Sequence, residues 1–215
     1  MMNDMNKIIA FAGKMRSGKG VASSVLKEKH NYSYLEVADA IKEICVKLTG
    51  LSNVEELNEY KNGDKPINLL FDENTCYQLS EETGVPLEYI KEKMLGKRIV
   101  NIRVLLQMLG TDVLRNYDKN WHIYRLADEI VRLCKENKPV VVGDIRFANE
   151  KLFIESIGGI VYYIDRKDNP FQSHHPSENS LSRDDFQEEN IIDNNFTLAD
   201  FMINVEMRVL HFTSH

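Results

Sequence analysis

Residues 13–20 read Gly-Lys-Met-Arg-Ser-Gly-Lys-Gly, an apolar run (Ile8-Ile9-Ala10-Phe11-Ala12) leads into them, and a helical pattern follows from Gly18 to Lys29. No other stretch limits the possible folds so tightly. The spacing G-x-x-x-x-G-K, set between a strand and a helix, lets the backbone wrap closely round a pyrophosphate with successive N–H groups pointing inward. The helix N-terminus adds a partial positive charge, and Lys19 supplies a mobile ammonium for β- and γ-phosphates. Gly13, Lys14, Met15, Arg16, Ser17, Gly18, Lys19, Gly20 and Val21 are therefore the candidate residues for holding a nucleoside triphosphate. One departure stands out. The usual motif carries Ser or Thr after the lysine to hold magnesium, and here Gly20 and then Val21 occupy those places. The metal's protein oxygens are expected elsewhere, at Ser17 or, through water, at a distant carboxylate.

Behind this start the chain alternates between strand and helix patterns. Residues 32–37 read as a second strand, and Ala38-Asp39-Ala40 opens a helix with apolar residues at Ile41, Ile44, Cys45 and Leu48, closed by Gly50. Residues 51–100 show a turn at 62–66 flanked by short helices without a common face, as in an insertion that covers something. Within it, Leu79 to Leu95 superficially has the pattern of a helix-turn-helix. The segment is not basic, so it reads as a capped surface helix pair. From Arg103 to Asn116 the pattern is helical, and a longer helix is capped near Asn120 with Trp121, Tyr124, Ala127, Ile130, Val131 and Cys134 on one side. Pro139–Gly143 is a β-branched run suited to a central parallel strand and ends in Asp144-Ile145-Arg146. A helix from Asn149 to Ile157, a strand at 160–164, a polar loop from Arg166 to about Glu189, a short strand at 191–192 and a C-terminal helix striped by Leu198, Phe201, Met202, Val205 and Val209 complete the chain. Such alternation implies right-handed crossovers and a parallel sheet covered on both faces. Ligands of such sheets sit beyond the carboxyl ends of the strands, which predicts that 13–19, 38–42, 144–146 and the loop after Ile164 share one rim.

The polar residues on that rim carry the candidate chemistry. Asp144, at the end of a hydrophobic strand, suits a carboxylate that organises magnesium beside the phosphate loop, against the plainer role of a helix cap. Arg146 suits a clamp on a phosphate, against a surface ion pair. Arg103, Gln107, Thr111, Asp112 and Arg115 thread an otherwise apolar helix, and Arg103 and Gln107, four apart, share a face. A guanidinium there suits bidentate phosphate capture and an amide suits a base edge, although a solvated helix face has the same spacing. Lys42 has the same two readings. His174-His175-Pro176-Ser177-Glu178 could chelate a metal, but adjacent side chains in a loop seldom do so together, and a lid over the phosphates fits better.

The net charge of −6 argues against a broad nucleic-acid-binding face while leaving room for a local cationic pocket. Cys45, Cys76 and Cys134 lie far apart without C-x-x-C spacing and read as thiols in a reducing compartment. No run approaches 18 apolar residues, and the start MMNDMNK lacks a signal-peptide core, so a soluble, cytoplasmic protein with no membrane partner is expected.

Taken together, the pieces resemble the deoxynucleoside monophosphate kinases of the bacteriophage type, a branch of the P-loop nucleoside monophosphate kinases. The resemblance is carried, in the family's order, by GKMRSGKG at 13–20, VADAIK at 37–42, RVLLQMLGTDVLRNYDKNW at 103–121, VVVGDIRFANE at 140–150 with the following IGGIVYYIDR, and HHPSE at 174–178 with IIDNN at 191–195. It implies an α/β fold: a P-loop kinase-like three-layer sandwich with a five-stranded parallel sheet. The expected organisation is a single domain over 1–215, with 51–118 a mostly helical acceptor-covering insertion and 166–189 a lid-like loop. The implied reaction is ATP- and magnesium-dependent conversion of a deoxynucleoside monophosphate to the diphosphate. Lys19 and the loop amides would hold the donor phosphates with Arg16 near the transferring group, and Asp144 would organise magnesium. Arg103, Arg115 and Arg146 would meet acceptor and transition-state oxygens. Lys42, Thr111 and Asp112 join the acceptor set, Gln107 and Trp121 would border the base, and Asn194 would lie near the donor adenine. The expected partner is a small molecule rather than polymeric nucleic acid, with a second copy of the chain as a further candidate. Two alternatives remain open at this point: another small-molecule P-loop kinase such as dephospho-coenzyme A kinase, and a nucleotide-binding module without transfer activity.

Overall fold

A computed structural model of the chain describes residues 8–167 and 180–211. Two compact units divide it, one formed by the two ends of the chain (up to Val37 and from Leu126) and the other by Ala38–Arg125.

The first unit is built on a five-stranded sheet. Its strands are β1 (Ile8–Ala12), β2 (Ser33–Leu35) and, numbering past two strands of the other unit, β5 (Val140–Ile145), β6 (Ile160–Asp165) and β7 (Ile191–Asp193). The order is β2-β5-β1-β6-β7 and every neighbouring pair is parallel. The central strand β1 is buried along its whole length, with Ile9 opposite Val141 on one side and Ile160 on the other. Alternate residues feed two cores, as the two-residue period of a strand requires. Ile9, Phe11, Val141 and Tyr162 pack with Ala22, Val25 and Leu26 of α1 (Lys19–His30) and with Phe201, Val205 and Val209 of the C-terminal helix Leu198–His211. Ile8, Ala10, Val140, Val142 and Val161 pack on the other face with Leu126, Ile130 and Leu133 of the helix Trp121–Lys135 and Ile154 of the helix Ala148–Ser156. This unit is thus a three-layer α/β sandwich with a five-stranded parallel sheet: the alternating pattern predicted the parallel sheet covered on both faces, and the family resemblance implied its five strands.

The second unit is mostly helical. It contains α2 (Asp39–Thr49), α3 (Val54–Asn62), α4 (Glu73–Thr83), α5 (Leu87–Met94), α6 (Ile102–Gln107) and a π-helical stretch, Met108–Arg115. It also holds an antiparallel pair, β3 (Pro66–Leu70) and β4 (Arg98–Asn101), where the sequence pattern suggested only short helices. Both strands are short and only Leu69 and Ile99, directly opposite each other, are buried, so neither shows a readable alternation. The helix pair α4–α5 differs from the surface pair expected from its polar composition. Cys76, Leu79, Val85, Ile90 and Met94 are buried in the unit's core with Ile41, Cys45, Leu57, Phe71, Leu105 and Leu109. Burial raises the Cys45 thiol to about 12, which keeps it protonated and inert. Cys76 is buried as well, and Cys134 is half-buried. The helix Trp121–Lys135, numbered α7, begins in this unit, and Ala148–Ser156 and Leu198–His211 are α8 and α9.

Candidate active site

The phosphate loop leaves β1 at Gly13 and enters α1 at Lys19. Two glycines make the path possible. Gly13 and Gly18 have φ of +139° and +113°, and a Cβ at either would stand under 3 Å from existing atoms: Ile164 O and Ser17 Oγ for Gly13, Asn194 Nδ2 for Gly18. Arg16 adopts φ +62°, a left-handed conformation that a non-glycine residue takes only when its surroundings hold it there. Two long-range hydrogen bonds do so. Arg166, just beyond β6, donates from Nη1 to the Arg16 carbonyl (3.1 Å), and Asn194, just beyond β7, donates from Nδ2 to the Ser17 carbonyl (2.7 Å). Two consecutive loop carbonyls are thereby tied to the strand ends.

Lys19 donates from Nζ to the carbonyls of Gly13 (2.5 Å) and Lys14 (3.0 Å) and lies 3.4 Å from Asp144 Oδ1. Asp144 is the penultimate residue of β5, and its other oxygen accepts from Arg146 Nε at 2.6 Å. These groups border a cavity of about 550 Å³ lined by Arg16, Lys19, Asp144, Arg146 and Arg166, among others. Four cationic side chains face one carboxylate there, on a protein whose net charge is −6. Such a focused positive field, with loop amides and a helix N-terminus at its edge, suits a polyphosphate. Its other wall is apolar: Phe196, Leu198 and Phe201. Phe196 is 72% exposed and offers a ring face that a planar base can cover.

The residues present fit a magnesium ion at one point. Asp144 Oδ1 is buried and accepts no hydrogen bond among the described residues, with the Lys19 ammonium 3.4 Å away. A carboxylate oxygen that accepts no hydrogen bond in a polyphosphate pocket is a hard-cation donor. Ser17 Oγ is also buried without a partner, but it lies against Gly13 and does not line the cavity. Gly20 does line it.

Of the residues singled out from the sequence, Met15, Arg16, Gly18, Lys19, Gly20, Val21, Asp144, Arg146 and Asn194 border this one cavity. Lys42, Arg103, Gln107, Thr111, Asp112, Arg115 and Trp121 belong to the other unit. There Arg103 and Gln107 are exposed on α6, and Arg103 Nε is 3.6 Å from Asp64 Oδ1. Lys42 is buried and paired with Asp39 at 3.1 Å, and Arg115 donates to the Lys119 carbonyl at 3.4 Å. Trp121 is a core residue, donating from Nε1 to the Thr83 carbonyl at 2.9 Å with the Arg125 guanidinium over its ring. His174, His175 and Glu178 lie outside the described residues, as does half of the segment 166–189 expected to form a lid. Among the described residues no cluster of three or more metal-ligating side chains occurs, and no helix is long and apolar enough to cross a membrane.

Arg166, Phe196 and Glu150 are the residues that sequence reasoning missed. Arg166 was visible only as the start of a polar loop and Phe196 only as an aromatic in a polar stretch. Glu150 lies inside the segment that carries the family resemblance.

Comparison with known proteins places the chain in a family. A protein of Acanthamoeba polyphaga mimivirus, named provisionally as a deoxynucleotide monophosphate kinase, is 28% identical over 204 residues, covering 90% of this chain and 91% of its own. Among solved structures, a dephospho-CoA kinase from Campylobacter jejuni aligns over 97% of this chain and 98% of its own at 14% identity and a TM-score of 0.49, a likeness too distant to bear on the substrate. The sequence profile described as deoxynucleotide monophosphate kinase matches residues 60–205, more than half the chain and including β5, β6, β7 and the Asp144–Arg146 turn. The chain with this phosphate loop and this cationic cavity belongs to the deoxynucleotide monophosphate kinase family.

Proposed function

We propose that the protein transfers the γ-phosphoryl group of ATP to the phosphate of a deoxynucleoside monophosphate, giving the diphosphate and ADP. The observation that carries the reading is the cavity in which Lys19, Arg16, Arg146 and Arg166 face Asp144 beside the phosphate-loop amides. Phosphoryl transfer asks little covalent chemistry of a protein. It asks for in-line positioning, charge neutralisation and exclusion of water.

In this reading the amides of 13–19 and the Lys19 ammonium hold the donor β- and γ-phosphates. Arg16 and Arg146 bear on the charge that builds on the transferring group, while Phe196 and Leu198 cover the donor base. Asp144 Oδ1 would hold magnesium, directly or through water, and the metal supplies charge neutralisation on the phosphates. Arg103, Arg115 and Lys42 are proposed for the acceptor phosphate, and Gln107, Thr111 and Asp112 for the acceptor nucleoside. Trp121 supports that region from within its core. The acceptor oxygen attacks the γ-phosphorus as the bond to the β,γ-bridging oxygen breaks, and the electron pair of that bond leaves with ADP.

A panel of the four common deoxynucleoside monophosphates with ATP and magnesium, read by chromatography of the products, tests this directly. At least one diphosphate is expected. Lys19→Ala should keep the fold and lose on the order of a thousandfold in turnover, the scale of removing a key phosphate-stabilising cation. If no monophosphate is converted, or if Lys19→Ala turns over normally, the reading fails.

A further inference from the structure

We infer that Glu150, on a helix the proposed chemistry does not otherwise use, is a positioning residue that holds the Asp144–Arg146 pair in register with the phosphate loop. This rests on the kinase reading above. Glu150 lies in the first turn of α8 and is 1% exposed. Carboxylates are seldom buried so completely, because desolvation is costly unless hydrogen bonds replace the lost water. Its Oε2 accepts from the Phe147 N–H at 3.1 Å and from the Arg146 N–H at 2.8 Å.

The first of these bonds is the return arm of a capping box, in which the third helical residue satisfies the amide of the N-cap. The second reaches one residue further, outside the helix, and capping does not require it. On the other side of the same residue, the Arg146 carbonyl accepts from Ser180 Oγ. Both backbone polar groups of Arg146 are therefore fixed, by α8 and by a residue 34 positions on. From that fixed backbone the side chain turns back two residues, and Nε meets Asp144 Oδ2 at 2.6 Å. With Oδ2 held, Oδ1 is presented 3.4 Å from the Lys19 ammonium and accepts no hydrogen bond. The bonds run in one line, from Glu150 through the Arg146 backbone and side chain to Asp144. Without Glu150, the Arg146 peptide loses its acceptor, and the guanidinium and the Asp144 carboxylate lose their fixed aim at bound phosphate and metal.

The test compares wild type, Glu150→Ala, Glu150→Gln, Arg146→Ala and the Arg146→Ala/Glu150→Ala double variant of the full chain. Each is measured for magnesium–ATP affinity with a fluorescent ATP analogue, for turnover with a deoxynucleoside monophosphate, and for melting temperature. Glu150→Ala should weaken magnesium–ATP affinity and lower turnover by about tenfold each, the scale of one charge-assisted contact. Glu150→Gln, whose amide oxygen can accept the same two N–H bonds, should stay within about threefold of wild type. The double variant should be no worse than Arg146→Ala, since the effect passes through Arg146. A residue that only caps α8 would lower the melting temperature with affinity and turnover per folded molecule unchanged, and that result, or a multiplicative double variant, overturns the inference. Should Glu150→Ala not fold, Glu150→Asp takes its place, because it keeps a carboxylate at the cap but is one methylene shorter. If wild type binds magnesium–ATP yet phosphorylates no deoxynucleotide, the substrate reading fails while the affinity series still decides Glu150. A wild type that does not bind magnesium–ATP overturns both.

Discussion

At Gly20 the loop lacks the hydroxyl that commonly follows the lysine, and the space around it says what kind of change this is. A Cβ at Gly20 would meet nothing within 4 Å, whereas one at Gly13 or Gly18 would collide with neighbours under 3 Å away. The glycines at 13 and 18 are demanded by geometry, and the one at 20 is not. Gly20→Ser should therefore be accepted without strain, remove a weak helix former from the first turn of α1, and bring an oxygen to the cavity wall. The expected outcome is a lower magnesium concentration for half-maximal rate. In the proposed site that burden would fall on Asp144, whose Oδ1 is buried and accepts no hydrogen bond. Asp144→Asn should lower kcat and raise the magnesium requirement by on the order of tenfold, and Gly20→Ser in the same chain should restore part of it. A magnesium titration of the three variants reads all of this. If Asp144→Asn changes only the melting temperature, Asp144 serves Lys19 and Arg146 and not the metal.

At the scale of elements, α1 and α9 cover the same face of the sheet, and the phosphate loop is flanked by both. Phe201 of α9 closes on Gly18, at 3.1 Å from where a Cβ would be. The C-terminal end of α1 is joined to the middle of α9 by Glu206, which meets His30 at 3.0 Å and Lys29 at 3.2 Å. The His30 hydrogen bond, followed by the Lys29 contact, holds the Glu206 carboxyl below its ordinary value of 4.5. A depressed carboxyl stabilises the fold above its unfolded-state value, and that stability is lost as pH falls through the folded-state value. Glu206→Gln should thus lower the melting temperature by about 1–2 °C near pH 7, given that such pairs are weak at a surface. The gap should close below the carboxylate range, which melting curves from pH 7 to pH 3 would follow. A gap that persists at pH 3 would mean that packing and not charge is responsible. In the other unit, Met108–Arg115 winds as a π-helix, and His122 Nε2 lies 3.0 Å from the Gly110 carbonyl. The wider turn carries Thr111, Asp112 and Arg115 round at a different angle from the α-helix their spacing suggested, which is a reason to test them singly.

For the molecule as a whole, the two compact units separate the proposed tasks. The cavity with the phosphate loop lies within one, while Arg103, Gln107 and Arg115 lie in the other. Arg103→Lys should therefore raise the KM for the monophosphate about tenfold, because an ammonium cannot reproduce a two-pronged contact, and leave ATP affinity within about twofold. Initial-rate measurements varying each substrate in turn decide it, and an equal loss for ATP would remove Arg103 from the acceptor role. Much of this architecture was legible in the chain because it is written locally. The strand–loop–helix at 8–29 and the buried run at 140–143 announce themselves by spacing and by unbroken apolar stretches, since a strand buried on both faces admits nothing else. The β3–β4 pair was not legible, because Pro66–Leu70 and Arg98–Asn101 are short and each buries a single residue that pairs across 30 positions. The supports of the site were hidden for the same reason. Asn194 bonds the Ser17 carbonyl across 177 residues and Arg166 bonds the Arg16 carbonyl across 150, and no window of sequence joins their ends. By itself, then, the sequence carried the phosphate loop and the parallel sheet, which follow from neighbours along the chain, and a resemblance to the kinase family spread over segments from 13 to 195. Only the tertiary structure decided which distant side chains tie the loop carbonyls to the strand ends and which carboxylate oxygen accepts no hydrogen bond. Hydrogen bonds and burial depend on where the folded chain brings its strand ends, and that is fixed by packing the whole sheet.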